Sequence, residues 1–501
     1  MSKLSVDLKA PNGRSFNLPT GLFINNEFVK SSSGQTITSI NPANEEEICT
    51  VEAASALDVD KAVEAARSAF NDPSWRNMPA TDRGILLYKL ASLIELHASI
   101  LATIETWDNG KPYTVALNED LAEVIFVFRY YAGWADKLHG DTIPTTSQKF
   151  AYTLRQPVGI CGQIIPWNYP LAMAAWKLGP ALACGNTVVI KAAEQTPLSI
   201  LYLARLIKET GFPRGVVNML NGYGRTAGAA IASHMDVDKI AFTGSTSIGK
   251  EIMKMAAVNM KNITLETGGK SPLIVFEDAD LDQAARWAHL GIMGNAGQIC
   301  TATSRILVHS SVAASFAVKL QDIIHSTSKL GDPFDPFTSQ GPQVSKAQYE
   351  RVLSYIEAGR REGATIITGG TPAPECGGKG FFISPTIFTN TKPTMNIYQE
   401  EIFGPVVITT PFETEDEALR LANDTTYGLG SAVFTRDLER AHRVAARLET
   451  GTVWVNSSND GDVRVPFGGV KQSGIGRELG EEGLRAYSTV KSVHVNLGMR
   501  L

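Results

Sequence analysis

Apolar residues recur along this chain with two periods, and the switch between them marks its organisation. Over Arg83–His97 (RGILLYKLASLIELH) they fall at i, i+3 and i+4, the spacing of one helix face. Asp58–Phe70 is Ala-rich behind an Asp suited to capping, and Leu117–Leu138 is a longer, aromatic-rich helical pattern. The first 50 residues are turn-rich and end in a short apolar stretch, Glu47–Val51. From about residue 156 short apolar runs alternate with helical ones. Strands are predicted at Val158–Ile165, Thr187–Lys191, Val216–Leu220 and Lys239–Thr243, with helices at Leu171–Cys184, Pro197–Thr210 and Ile248–Ala257. This alternation predicts a parallel, doubly wound sheet. Its right-handed crossovers put the strand C-terminal ends on one ligand-binding edge.

A second α/β set begins near Ser271. It has strands at Pro272–Phe276, Arg305–His309, Thr386–Phe388, Val406–Thr410 and Thr452–Asn456, and a helix at Leu281–Ile292. Val490–Asn496 alternates like an edge strand, and with the segment near 137–157 it is expected to form a separate small sheet.

At 501 residues the chain exceeds a single core, so two or three domains are expected. A net charge of -5 excludes a strongly basic surface, and no nucleic-acid partner is expected. The best apolar stretch, Leu171–Ile190, is interrupted by Lys177, so no run reaches the ~18 residues of a membrane span and no membrane is expected. Met1–Pro19 mixes Lys and Asp without an apolar core, unlike a secretory signal, and its single arginine fits a mitochondrial leader poorly. The cytoplasm is the expected location. The cysteines Cys49, Cys161, Cys184, Cys300 and Cys376 are widely spaced with no C-x-x-C, and the histidines form no metal spacing. Neither disulfides nor a metal are expected.

Several segments carry candidate chemistry. Gly244–Gly249 (GSTSIG) lies between strand and helix, where backbone amides can face a pyrophosphate, although Thr246 stands where a G-x-G-x-x-G needs its second Gly. Gly222-Tyr-Gly224, with Gly228 after it, competes for that role with one residue too many. After the second strand comes Lys191-Ala-Ala-Glu194, whose carboxylate can accept from ribose hydroxyls and repel a 2′-phosphate. Cys300 sits among small residues in Gly294–Thr301 (GNAGQICT), where a thiolate would be accessible. Glu266, at a strand end before two glycines, is a candidate general base. Asn168, in Pro166-Trp-Asn-Tyr-Pro170, can donate to an oxyanion. Each segment alone also has a bland structural reading: an inert buried cysteine, a capping carboxylate, an Asx-turn, a solvated loop. No G-x-S-x-G occurs, and a cysteine without an obvious His points away from papain-like chemistry.

Taken together, the segments resemble the aldehyde dehydrogenase superfamily, most closely its broad-specificity, tetrameric, NAD-linked members. The matching motifs run nearly end to end: PWNYP (166–170), KAAEQTPL (191–198), FTGSTSIG (242–249), LETGGK (265–270), GQICTA (297–302), EEIFGPV (400–406) and PFGGVKQSGIGRELG (466–480). The resemblance implies an α/β fold with a Rossmann-type NAD-binding domain (1–136 and 158–267), an α/β catalytic domain (268–480) and a bridging segment (137–157 and 481–501) that builds a homotetramer, a dimer of dimers.

The resemblance also assigns roles. Cys300 is the nucleophile, Glu266 the base, and Asn168 with the Cys300 amide the oxyanion hole. Ile164, Ile165, Pro166, Trp167, Gly224, Phe242, Gly244 and Leu265 line the NAD site. In the LETGGK motif the NAD-facing residue is Leu265. Lys191 and Glu194 hold the adenosine ribose, Ser245 the pyrophosphate, and Ile248 packs near the adenine. Glu401 and Phe403 hold the nicotinamide end, and Lys177 and Glu478 lie by the proton exit. Tyr169, Met173, Trp176 and Phe467 line the substrate tunnel. The polar stretch Ser457–Arg464 departs from the aromatic segment usual there and is expected to leave room for bulky aliphatic and aromatic aldehydes. A cationic aldehyde held by Asp460 or Asp462 is a weaker alternative. The rival readings are an esterase using the same Cys300 and Glu266, and a structural protein without activity.

Overall fold

Four short runs, Ile160–Ile164, Thr187–Lys191, Val217–Leu220 and Lys239–Thr243, are buried at every position, which requires cover on both faces. The computed structural model, which describes residues 4–373 and 376–501, shows that cover. With Asn262–Glu266 these runs form five parallel strands, ordered 262–266, 239–243, 160–164, 187–191 and 217–220. Helices Pro170–Ala183 and Leu198–Thr210 pack on one face and Ala56–Asn71 and Thr246–Ala256 on the other. The chain winds one way from 160–164 through 217–220, then resumes on the other side at 239–243. That reversal opens a crevice beyond the C-terminal ends of 160–164 and 239–243.

Antiparallel strands finish the sheet: Leu22–Ile24 and Glu27–Val29 at one edge, Gly474–Ile475 at the other. The first 50 residues therefore differ from the turn-rich expectation. They carry six strands, counting the pairs Ser5–Lys9 with Ser15–Pro19 and Thr36–Ile40 with Glu47–Glu52. The hairpin at Leu22–Val29 turns on Asn25 and Asn26, both at positive φ (54° and 61°), the geometry that matches strand twist.

The second sheet has order 365–368, 386–389, 406–412, 305–309, 272–275, 430–434, 452–455, with only the first strand antiparallel. Helices Leu281–Met293 and Ser310–Thr327 cover one face, and Glu415–Asn423 and Leu438–Arg447 the other. A three-stranded sheet joins Thr142–Ile143, Lys149–Pro157 and Ser488–Asn496.

Two expectations need correction. The single helix expected over Leu117–Leu138 is a π turn, Ala116–Asp120, followed by the α-helix Leu121–Trp134. The end of the 268–480 span does not stay with the second sheet. Val463 and Leu479 join the first core, as do Leu484 and Tyr487 of the 481–501 segment, and Gly474–Ile475 pairs with 262–266.

Arg305 fixes the second sheet to the reactive region. Among the described residues its fully buried guanidinium has no carboxylate within ion-pair distance. It donates instead to three carbonyls: Lys270 at 2.9 Å, and Leu421 and Ala422, at the C-terminal end of a helix, at 2.9 and 2.8 Å. A helix C-terminus stabilises a cation, and the planar fork reaches all three oxygens as a lysine cannot. Hydrogen bonds to a charged group contribute ~1.5–3 kcal/mol each. Arg305→Met should therefore cost about 3 kcal/mol or more, and Arg305→Lys should recover only part of it. Scanning calorimetry measures this; an unchanged unfolding midpoint for Arg305→Met would show that the carbonyls need no such anchor.

Candidate active site

Cys300 follows a backbone that would not hold its shape unaided. After the helix Leu281–Met293, residues Asn295, Ala296 and Gly297 are all left-handed, at φ 45°, 53° and 76°. Such a state costs a non-glycine residue of order 1–3 kcal/mol. Side-chain amides clamp it. Gln298 donates to the Asn295 carbonyl at 3.0 Å and accepts from the Val344 amide at 2.9 Å, and Gln343 donates to the Ala296 carbonyl at 3.1 Å. The Cys300 thiol is half-buried. Burial first, and then the carboxylates of Glu401 and Glu266, push its pKa up to about 12. In the free protein near neutral pH it is a thiol.

The loop after Ile160–Ile164 delivers Asn168. Tyr169 precedes the helix Pro170–Ala183, and Pro170 stands at its first position, where a missing N–H costs nothing. Asn168 Nδ2 donates to the Gln298 carbonyl at 2.9 Å, while its own carbonyl accepts from Asn295 Nδ2 at 3.0 Å. One amide hydrogen thus pins Asn168 to the Cys300 loop, and the other remains to donate. Asn109 supports the loop from below, donating to the Trp167 carbonyl at 2.7 Å.

Glu266 ends the strand Asn262–Glu266. Its Oε2 accepts from the Gly469 amide at 3.3 Å, and Oε1 is buried with no partner. Burial, and then the Glu478 carboxylate, hold its carboxyl well above the ordinary range. Glu478 in turn lies 2.8 Å from the buried Lys177 ammonium, which donates to Thr243 Oγ1 at 2.7 Å.

Glu401 enters from the opposite side and accepts from the Gly269 amide at 2.8 Å. Burial pushes its pKa up to about 7. Phe403, at φ 60°, meets the Trp167 ring edge-on at 5.3 Å.

The crevice has the features a dinucleotide needs. At its far end buried Lys191 donates to the carbonyls of Ala192 (2.8 Å) and Gly222 (3.0 Å) and lies 3.4 Å from the half-exposed Glu194. In the middle Ser245 caps the helix Thr246–Ala256, accepting from the Ile248 amide, and the Ile248 side chain is 50% exposed. A helix start of this kind presents amides and a dipole that suit an anion. Phe242 and Gly244 pack so closely that a Cβ on Gly244 would collide with the ring, and the Gly244 amide donates to the Glu266 carbonyl at 3.1 Å. Ile164, Ile165 and Leu265 are buried beneath, with Pro166 half-buried at the rim. Gly224 is exposed in the loop beside Lys191, at the start of a short π turn.

Two residues beyond Leu265 the chain becomes polar. Residue 267 is Thr267, and it lies just past the end of the strand Asn262–Glu266. Its polar groups are engaged away from the crevice. The Thr267 hydroxyl donates to the Gln472 carbonyl at 2.7 Å and its amide to the Ser473 carbonyl at 2.9 Å. A leucine there could not make the first of these bonds. Thr267 thus ties the strand end to the 471–473 turn, and the apolar surface comes from Leu265.

Tyr169, Met173 and Trp176 lie along one side of a helix, all half-buried, and Phe467 meets Trp176 edge-on at 5.2 Å. The polar loop expected to form the facing wall turns partly inward. Ser458 is fully buried beside Thr303, and Asn459 accepts from the Thr301 hydroxyl at 2.5 Å. Sequence reasoning missed the clamps Gln298, Gln343, Asn295 and Gly469. Each acts through the main chain at long range, which no local pattern signals.

A model of the aldehyde dehydrogenase family matches residues 28–493. An aldehyde dehydrogenase of Emericella nidulans is 53% identical over 499 residues, 99% of either chain. A Saccharomyces cerevisiae protein named aldehyde dehydrogenase [NAD(P)+] 1 is 52% identical over 505 residues, the full length of both. The NAD+ complex of a Bacillus cereus aldehyde dehydrogenase superposes with a TM-score of 0.94 at 50% identity, covering 96% of this chain and 97% of that one. The clamped cysteine, the buried carboxylates and the switch-point crevice thus stand within a match spanning almost the whole chain, which belongs to the aldehyde dehydrogenase family.

Proposed function

We propose that the chain oxidises aldehydes to carboxylic acids with NAD, through a thioester on Cys300. The convergence of Cys300, Asn168 and Glu266 at the end of a dinucleotide-shaped crevice carries this reading. Bound there, NAD would supply the hydride acceptor. Cys300 gives up its thiol proton to solvent and its sulfur adds to the carbonyl carbon, while the free hydrogen of the Asn168 amide and the Cys300 backbone amide stabilise the developing oxyanion. Loss of hydride leaves the acyl group on sulfur, which splits one hard oxidation into two easier steps. Glu266 Oε1, buried and unpartnered, is the atom that takes a proton from the attacking water. Its raised pKa makes its carboxylate a strong base. The acid leaves and Cys300 regains a proton. Glu478, Lys177 and Thr243 form a buried polar path behind Glu266 for the released proton.

The bound dinucleotide would run from Lys191 and Glu194 at the adenosine ribose, past Ser245 and Ile248, to Glu401 and Phe403. The aromatic wall of Tyr169, Met173, Trp176 and Phe467 suits a range of aliphatic and aromatic aldehydes. The three-stranded sheet supports a homotetramer, because Ser488–Asn496 is almost wholly exposed and shows Val490 and Val495 to solvent beside Phe150 and Leu154. No single helix among the described residues is long and apolar enough to cross a membrane, and cytoplasmic placement is the reading that accompanies this function.

Cys300→Ala should abolish NADH formation. Glu266→Gln should lower steady-state turnover ~10²–10⁴-fold, yet still give a rapid NADH burst near one equivalent per site, with the acyl group on Cys300 by mass spectrometry. A variant that turns over at the wild-type rate would remove Glu266 from the mechanism. Glu194 should favour NAD over NADP in kcat/KM through repulsion of the 2′-phosphate, a preference that Glu194→Ser should weaken; a wild-type preference for NADP would overturn it. Light scattering at micromolar concentration should find the tetramer, and a monomer there would refute the assembly.

A further inference from the structure

The motif PFGGVKQSGIGRELG (466–480) contains one arginine with no part in the steps assigned to Cys300, Asn168 and Glu266. Arg477 follows the edge strand Gly474–Ile475, which pairs with Leu265 and Glu266. Its neighbour Glu478 is bridged to Phe467 by two main-chain hydrogen bonds, of 2.7 and 2.8 Å. These pairings lay 467–469 alongside 476–478, and the Arg477 side chain ties the two stretches together. Its Nη1 donates to the Gly469 carbonyl at 2.9 Å and to the Gly476 carbonyl at 2.7 Å. The amide of the same Gly469 donates to Glu266 Oε2 at 3.3 Å. One residue thus takes the arginine on its carbonyl and the base on its amide. There is no slack beside it. A Cβ on Gly468 would lie 2.6 Å from Glu266 Oε1 and 2.8 Å from Arg477 Cδ, so the carboxylate and the arginine stem lie against one α-carbon.

The charges around Glu266 point the same way. Glu478, Lys177 and Arg477 act on it, and Glu266 in turn acts on Cys300. Lys177 is engaged by Glu478 at 2.8 Å and by the Thr243 hydroxyl at 2.7 Å. Arg477 is half-buried and spends its bonds on carbonyls, and among the described residues it has no carboxylate within ion-pair distance. Burial and then Glu478 raise the Glu266 carboxyl, while Lys177, Arg477 and the Gly469 amide lower it. Two of those three opposing influences depend on Arg477, one through its charge and one through the glycine it grips.

We propose that Arg477 is a positioning residue for thioester hydrolysis: it holds the Gly469 carbonyl so that the Gly469 amide stays on Glu266 Oε2, leaving Oε1 to take the proton of the attacking water. The inference rests on the reading of Glu266 as the base. Arg477 touches neither substrate nor cofactor in this account and acts only through 468–469 and its charge. It therefore serves the hydrolytic half of the reaction and not the attack of Cys300 on the aldehyde.

The test follows the acyl-enzyme directly. Wild type, Glu266→Gln, Arg477→Met and Arg477→Lys are mixed with NAD and propanal, and quenched samples are read by mass spectrometry for the acyl group on Cys300. The NADH burst should form at the wild-type rate in Arg477→Met. Loss of the acyl group should slow about tenfold or more, as removal of one hydrogen bond made by a charged group predicts. The pH profile of that loss is the readout a merely structural role would not move. Hydrolysis needs Glu266 as a carboxylate, so it fails as pH falls through the carboxyl pKa, and without the arginine the failure should begin at higher pH. Arg477→Lys keeps a cation and a donor and should restore the wild-type profile and part of the rate. Rates are referred to burst amplitude, which counts working sites, so a partly folded preparation does not distort them. Should Arg477→Met give no burst, Arg477→Lys decides by itself, and acyl loss there at the full wild-type rate counts against the inference. A burst slowed as much as hydrolysis, or a wild-type rate and pH profile of acyl loss in Arg477→Met, overturns this inference alone. Wild-type hydrolysis by Glu266→Gln overturns Glu266 as the base and this inference with it.

Discussion

The reactive centre depends on how closely three stretches of backbone can approach. The segment Glu266–Lys270, the Cys300 loop and the loop carrying Glu401 meet at Gly268, Gly269 and Gly297. A Cβ at Gly268 would collide with the Glu401 carboxylate, at Gly269 with the Cys300 carbonyl, and at Gly297 with the backbone of Gly404. Main-chain atoms cannot rotate aside as a side chain can, so two of these contacts admit no larger residue without moving a loop. Arg305 holds the same segment from behind through the Lys270 carbonyl.

Close approach in a dry crevice has an electrostatic result. Glu266, Glu401 and Cys300 would each be negative when ionised, and burial raises all three. Acidic neighbours add to it for two of them: Glu478 acts on Glu266, and Glu401 with Glu266 on Cys300. The ion pair behind Glu266 is Lys177 with Glu478, and that cation is already matched. Each of the three is therefore harder to ionise than it would be in water. A positive charge placed beside these groups would relieve that repulsion and make each of them easier to ionise.

The sequence disclosed what was local. Thr187–Lys191, Lys239–Thr243 and Arg305–His309 have the limits their five-residue apolar runs predict. The hairpins before residue 53 were hidden because their strands are short and half-exposed, so turn residues dominate the pattern. The π turn at Ala116–Asp120 leaves composition unchanged and so leaves no trace in helical spacing. At the site, Cys300, Glu266 and Asn168 were each ambiguous alone and gained meaning only as a set. Gln298 reaches a backbone amide 46 residues away, and Gly469 matters because of a glutamate 203 residues away. Contacts of that range belong to the fold and not to any window of sequence.

The return of Gly474–Ile475 to the first sheet has a consequence for biosynthesis. Those two residues cover the edge of Asn262–Glu266, and Gly469 just before them supplies the amide that holds Glu266. Domains generally fold in order as the ribosome extends the chain. Here the first sheet cannot close its edge until roughly two hundred further residues have been translated and the second sheet has formed. A nascent chain that already displays Cys300 therefore lacks the amide that holds Glu266. The edge of the first sheet is covered only when residues 474–475 arrive, and until then the uncapped strand is a place where one nascent chain can pair with another.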